Sequence, residues 1–90
     1  MITYQIIVTG HVQGVGFRWS CVQLAQQLQL TGTVKNLVDG RVEIHVTGNG
    51  ITIHQFLKTI QAGINPYATV TNLTTKSEPL QEFPNFTIVY

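Results

Sequence analysis

Apolar and polar residues alternate over positions 3–9, which is the period of a β-strand with one buried face. The spacing changes from about Phe17, and we expect Gly32 to end the helix that follows, since glycine is favoured just past a helix C-terminus. Four apolar residues fall on one face of this first predicted helix: Cys21, Leu24, Ala25 and Leu28.

A hairpin is predicted next. Residues 34–38 form a predicted strand, and Asp39-Gly40 is a dipeptide favoured in two-residue hairpin turns. A third strand follows and ends at Gly48-Asn49-Gly50. Its apolar positions alternate cleanly with polar ones: Val42, Ile44 and Val46.

The second helix has the clearest pattern. Thr52 and Gln55 have the spacing of a capping box, and Gly63 is the expected C-cap. Its predicted buried stripe consists of Ile53, Phe56, Leu57 and Ile60.

Two strands complete the chain. Residues 68–76 are rich in Thr and Val, and Val70 and Leu73 break strict alternation, which indicates a bulge. Residues 86–90 form a last short strand. The order βαββαβ plus a terminal strand predicts an α+β, ferredoxin-like two-layer sandwich, with two helices on one face of a mainly antiparallel sheet. We expect residues 1–90 to form one domain.

Composition narrows the class of protein. Charged residues make up 10% of the chain, the net charge is +1 and there is no basic run, so we expect no nucleic-acid partner. We also expect no signal peptide and no membrane span, and therefore a cytoplasmic protein, most simply a monomer. Cys21 is the single cysteine, which excludes an intramolecular disulfide and is typical of a buried, inert thiol.

The histidines offer no metal site. His11, His45 and His54 lie far apart without paired spacing, so neither a metal nor another cofactor is expected. We interpret His45 as a solvated surface residue. His11, beside a glycine-rich stretch, and His54, in the first turn of the second helix, could each lie near a ligand.

The four acidic residues offer no general acid–base pair. Asp39 is needed by its turn, and Glu43 is expected to face outward beside Arg41. Glu78 and Glu82 flank a proline-containing loop.

Residues 10–18 read G-H-V-Q-G-V-G-F-R and carry the strongest chemical signal. Gly10, Gly14 and Gly16 permit a sharp turn with converging amides, and such a nest at a helix N-terminus binds anions. Arg18 adds a planar fork of donors suited to phosphate or carboxylate. From these residues alone, an anion site and a simple strand-to-helix turn fit equally well.

Arginine, asparagine and backbone amides act by positioning and by stabilising charge, which suits phosphoryl transfer. An acyl phosphate expels a carboxylate, a weak base that needs no general acid, whereas a phosphate monoester expels an alkoxide. The available groups therefore favour acyl phosphates over monoesters.

The run at residues 10–18 resembles a signature of the acylphosphatases, small enzymes that hydrolyse acyl phosphates. The block G-T-V-K-N-L-V-D-G-R-V-E at 32–43 is similar to their second signature, and residues 85–90 resemble their last strand. The resemblance implies the ferredoxin-like fold and metal-independent hydrolysis of an acyl phosphate to a carboxylate and inorganic phosphate. Thr33, where an aromatic is common, and the loose turn at 63–68 depart from the family pattern and bear on packing and substrate preference.

The resemblance also implies site residues. Arg18 corresponds to the phosphate-binding arginine and Asn36 to the asparagine that orients the attacking water, whose proton the substrate phosphate is expected to take. Without the resemblance, Asn36 is better interpreted as a strand-end residue that satisfies local backbone. Lys35 should face the other side of its strand. The expected phosphate cradle consists of the amides of Val12, Gln13, Gly14, Val15, Gly16, Phe17 and Arg18.

Two alternatives stay open. One is a carbamoyl-phosphate-handling module like the acylphosphatase-like domain of hydrogenase-maturation proteins, which the length of 90 residues disfavours. The other is a non-catalytic ferredoxin-like binding module, which the weak charge and the pair Arg18 and Asn36 disfavour. The acyl group itself, whether acetyl, carbamoyl or glycerate-linked, is left open.

Overall fold

The chain forms five strands and two helices in a computed structural model that describes residues 1–90. Their order is the predicted βαββαβ with a short terminal strand, which confirms the α+β, ferredoxin-like class. The elements are β1 (Ile2–His11), α1 (Phe17–Gln27), β2 (Thr31–Asn36), β3 (Val42–Gly48), α2 (Gly50–Gln61), β4 (Thr69–Glu78) and β5 (Phe86–Ile88).

The strands form one sheet in the order β4-β1-β3-β2-β5. All neighbouring pairs are antiparallel except β2 and β5, which run parallel. Ile44 pairs with Ile6 on one side and with Val34 on the other, and all three side chains are fully buried. This row is the sheet half of the core, and both helices supply the other half through Phe17, Cys21, Ala25, Ile53, Phe56 and Ile60.

The end of α1 differs from the prediction. The helix stops at Gln27, and the chain leaves it through Gln29, which has φ 57. The Gln29 amide donates to the Gln26 carbonyl and the Leu30 amide to that of Ala25, the two bonds of a Schellman motif. Gly32 as a helix stop is therefore wrong, because a glutamine takes the left-handed position.

Gly32 instead lies inside β2, which also begins and ends earlier than the predicted strand 34–38. A Cβ at this position would lie 1.8 Å from the His45 carbonyl oxygen of β3. The glycine is thus needed for close approach of the two strands.

The β2–β3 hairpin forms as predicted, but its turn is one residue longer. The Gly40 amide donates to the Leu37 carbonyl, and the Leu37 amide donates to the Arg41 carbonyl, leaving three residues, Val38–Gly40, in the loop. Asp39 accepts a hydrogen bond from the Arg41 amide at 3.1 Å, which is the main reason that the pKa of Asp39 is lowered. Asp39 thus stabilises the hairpin turn, as expected.

The second helix has the predicted buried stripe but a different cap. Asn49, not Thr52, is the N-cap, and its side chain accepts a hydrogen bond from the Ile51 amide at 2.9 Å. Thr52 and Gln55 lie within the helix, so the predicted capping box is wrong. The C-cap is Ala62, and Gly63, at φ 98, is the residue after it, so the predicted C-cap lies one residue too late. Of the stripe, Leu57 is half-buried and the other three residues are buried: Ile53, Phe56 and Ile60.

The predicted bulge lies in β4. The register changes from Thr9 opposite Asn72 to Gly10 opposite Val70, so Thr71 is the extra residue. The strand extends two residues beyond the predicted end, to Glu78.

A polar cluster on the sheet face opposite the helices was not predicted. The His45 Nδ1 lies 2.7 Å from Glu78 Oε1, and its Nε2 lies 3.3 Å from Glu43 Oε1. Burial alone lowers the pKa of His45, but the hydrogen bonds and charges of Glu78 and Glu43 outweigh it and raise the pKa. The predictions of a solvated His45 and of a Glu43 beside Arg41 are therefore wrong, since Arg41 pairs with Asp39 instead.

Two further features bear on the predictions. Cys21 is fully buried, and burial raises the pKa of its thiol, so the sulfur stays protonated as an inert core group.

Neither helix has the length and apolar character needed to cross a membrane.

Candidate active site

The chain between β1 and α1 is a tight loop built around two glycines. Gly14 and Gly16 both have φ 75, whereas Val15 between them does not have positive φ. Alternation of this kind turns successive amides toward one side and makes an anion-binding concavity. Gly16 is also the N-cap of α1, so the unpaired amides of the first helical turn face the same region.

The loop borders a small cavity of about 150 Å³. This volume is well below the roughly 300–1,000 Å³ of pockets that hold drug-sized ligands, and it suits a group the size of phosphate. Val12 and Phe17 are core residues, each 1% exposed, and they anchor the two ends of the loop. The cavity is lined by Val12, Gly14, Gly16, Phe17, Arg18, Trp19 and Ile88.

Arg18 lies in the first turn of α1 beside the cavity. It forms no ion pair and no side-chain hydrogen bond, while its guanidinium carbon lies 5.4 Å from the centroid of the Tyr90 ring. A cation over an aromatic ring is held by the negative face of that ring. The Tyr90 ring therefore restrains the guanidinium and leaves its N–H groups available to an anion.

Asn36 is the last residue of β2, and its Oδ1 is buried without a hydrogen-bond partner. Leaving a buried acceptor unpaired costs about 1–3 kcal/mol, which marks this atom as unusual. Asn36 does not line the cavity itself, but the loop is fastened next to it. The Gln13 side chain donates to the Leu37 carbonyl at 2.8 Å and to the Arg41 carbonyl at 3.0 Å.

Five of the seven predicted cradle residues line the cavity, and the side chains of the other two are directed away from it. The Gln13 side chain points to the hairpin, and the half-buried Val15 side chain packs against the core. His11 and His54 are exposed and do not line the cavity. No group of three His, Cys, Asp or Glu side chains is arranged to hold a metal ion.

Sequence reasoning missed Trp19, Ile88 and Tyr90. Trp19 is 59% exposed although it is large and apolar, and its position next to Arg18 was the available signal. Ile88 reaches the cavity only because β5 pairs in parallel with β2, which no local spacing reveals.

Residues 4–88 match the family model described as Acylphosphatase. The chain belongs to the acylphosphatase family. It is therefore a hydrolase of the carboxylic–phosphoric mixed anhydride, which takes a small-molecule acyl phosphate as substrate and releases a carboxylate and inorganic phosphate.

Two relatives illustrate the match to acylphosphatases. The acylphosphatase of Lacticaseibacillus paracasei is 44% identical over 82 residues, which are 91% of this chain and 86% of that protein. The crystal structure of acylphosphatase from Bacillus subtilis superposes with a TM-score of 0.95 at 40% identity, and the match covers 100% of both chains.

The same fold also occurs as part of a longer protein. The crystal structure of full-length HypF in the phosphate- and nucleotide-bound form matches with a TM-score of 0.92 at 29% identity. The match covers 99% of this chain and 12% of the HypF chain.

Proposed function

We propose that the amides of residues 12–18 and the Arg18 guanidinium hold the phosphoryl group of the acyl phosphate, while Asn36 orients the attacking water. The observation that carries this proposal is the shared cavity of two left-handed glycines and an arginine whose guanidinium has no ion pair and no hydrogen bond to the protein. Backbone amides and a guanidinium together place positive charge around the equatorial oxygens, where charge develops during phosphoryl transfer.

The reaction then needs no protein acid or base. Water attacks phosphorus in line with the leaving oxygen, a new P–O bond forms, and the P–O bond to the acyl group breaks. The carboxylate leaves with the bonding electron pair, and it is a weak enough base to leave unprotonated. The proton of the water passes to a phosphoryl oxygen, so the products are a carboxylate and inorganic phosphate.

Asn36 suits the role of water holder because an amide can both accept from water and donate to it without adding charge. Its Oδ1 is a buried acceptor without a protein donor, and in this proposal the nucleophilic water fills that acceptor. The Gln13 bridge to the neighbouring Leu37 carbonyl keeps the end of β2 in register with the loop. We infer that this bridge sets the distance between the water and the phosphoryl group.

We propose that residues 1–90 act as one domain and as a monomer, in the cytoplasm, without a metal, another cofactor or a nucleic-acid partner. A net charge of +1 without a basic patch supports the last point.

Asn36→Ala should remove most of the turnover and leave the affinity for inorganic phosphate within about twofold, because the side chain is assigned to water and not to the anion. We would measure kcat with an aryl acyl phosphate in the presence of a chelator, and phosphate binding by calorimetry. Lys35→Ala, one residue away and exposed, is the matched control and should resemble wild type. A parallel loss of phosphate binding would assign Asn36 to the cradle, and wild-type activity that needs added Mg²⁺ or Zn²⁺ would overturn the metal-free mechanism.

A further inference from the structure

The turn between α2 and β4 carries an asparagine whose side chain reaches the phosphate loop. The Asn65 Nδ2 donates to the Val15 carbonyl at 3.2 Å and to Ser20 Oγ at 3.0 Å. Its Oδ1 accepts from the amides of Tyr67 at 2.8 Å and Ala68 at 2.9 Å. The two backbone donors fix which end of the amide faces the loop, so the Nδ2 must point toward Val15.

The Val15 carbonyl belongs to the peptide unit that also carries the Gly16 amide. Because a trans peptide is planar, its C=O and N–H point in opposite directions. A carbonyl held away from the cavity therefore aims the Gly16 amide into it. Asn65 supplies the only hydrogen bond from the protein to this carbonyl.

This peptide unit needs such a restraint. Its far end is Gly16 at φ 75, and glycine populates positive and negative φ with similar ease. Rotation of the peptide plane would turn the amide out of the cavity and the carbonyl oxygen toward the bound anion. The hydrogen bond from Asn65 Nδ2 to the Val15 carbonyl opposes that rotation.

We propose that Asn65 is a positioning residue of the active site, which locks the Val15–Gly16 peptide in the anion-binding orientation. The proposal rests on the proposed phosphate site. It also gives a function to the turn at residues 63–68, which departs from the family pattern. Asn65 acts through the loop, because it does not line the cavity itself.

Asn65→Ser tests this role. Serine can still accept from the Tyr67 and Ala68 amides, as in an ST turn, but it is too short to reach the Val15 carbonyl. We expect the dissociation constant for inorganic phosphate to rise about tenfold and kcat/KM to fall about tenfold, less than the roughly 10²–10³-fold cost of deleting a preorganised donor outright. Ser20→Ala is the matched control, because it removes the other partner of the same Nδ2.

A second readout separates positioning from a general loss of stability. In NMR titrations with inorganic phosphate, the Gly16 amide should shift strongly in wild type and Ser20→Ala, and weakly in Asn65→Ser at saturating phosphate. Phosphate binding and a Gly16 shift equal to wild type in Asn65→Ser would overturn the proposal. An equal loss of phosphate affinity in Ser20→Ala would also overturn the proposal, because the effect would then come from the contact of Asn65 with α1 and not from its bond to the Val15 carbonyl. Failure of wild type to bind phosphate would instead remove the proposed site itself, and the role of Asn65 with it.

Discussion

Among single residues, His45 occupies the least expected environment. Its side chain is 24% exposed and lies between the carboxylates of Glu43 and Glu78. The sequence shows these groups only as separate polar positions, and Glu78 is 33 residues away along the chain. The register of β1 against β3 and β4 brings them to one face, and no local spacing contains that register.

The pH dependence of stability should report this environment. A His pKa raised above its ordinary value of 6.5 means that the protonated form is favoured in the folded state. The stabilisation is thus complete below about pH 6.5 and is lost as the pH rises through the folded-state pKa.

We therefore expect the free energy of unfolding of wild type to exceed that of His45→Gln by more at pH 6 than at pH 9. Urea unfolding across this range measures the difference. His54→Gln, which changes an exposed histidine in α2, is the control and should show no such trend. A gap between wild type and His45→Gln that is constant or grows toward pH 9 would contradict the ion-pair account.

At the scale of elements, the β2–β3 pairing depends on the absence of a side chain at Gly32. Gly32→Ala would place a Cβ 1.8 Å from the His45 carbonyl oxygen at φ 149. The backbone conformation costs an alanine about 1–3 kcal/mol, and relief of the clash costs a similar amount again. We expect a loss of at least about 2 kcal/mol in the free energy of unfolding, measured in urea.

Gly50→Ala is the matched control for Gly32→Ala. Gly50 is the first residue of α2, and an added Cβ would make an ordinary contact at 3.4 Å with Ile2 Cδ1. Alanine there should be neutral or stabilise by up to about 1 kcal/mol. Equal effects of the two substitutions would show that the approach of β2 to β3 has room that the structure does not indicate.

The predictions from sequence were least accurate at the ends of the helices and strands. Periodicity identified every strand and helix, and in β3 and α2 also the buried face, because the burial of a whole stripe outweighs local preferences. The ends depend on single caps, each worth about 1 kcal/mol, so nearby candidates compete. In the structure Asn49, and not Thr52, caps the start of α2. Gln29, and not Gly32, takes the left-handed position at the end of α1.

At the scale of the molecule, the site draws on distant segments that only the fold assembles. The loop at residues 12–18 and Asn36 could be proposed from the sequence, because each lies in a contiguous block that resembles a family signature. Ile88 and Tyr90 come from the β5 end of the chain, and Asn65 from the turn before β4, 50 residues from its Val15 partner. Those contacts depend on parallel pairing and on one side-chain orientation, neither of which has a sequence signal.

We propose that Arg18 holds the phosphoryl group through the shape of its side chain as well as through its charge. Lysine would keep the charge but lose the planar fork that can bind two phosphoryl oxygens at once. Arg41→Lys is the matched control, because Arg41 is an exposed arginine whose partner is Asp39 in the hairpin turn. Stability should change little in either variant, since neither side chain belongs to the core.

The most direct test is kcat/KM for an aryl acyl phosphate in wild type, Arg18→Lys and Arg41→Lys, with the fold of each checked by circular dichroism. We expect Arg18→Lys to fall by at least about 10²-fold, the cost of losing a preorganised donor to developing charge. Arg41→Lys should stay within about twofold. Near-wild-type activity in a folded Arg18→Lys protein would contradict the account and leave phosphate binding to the backbone amides alone.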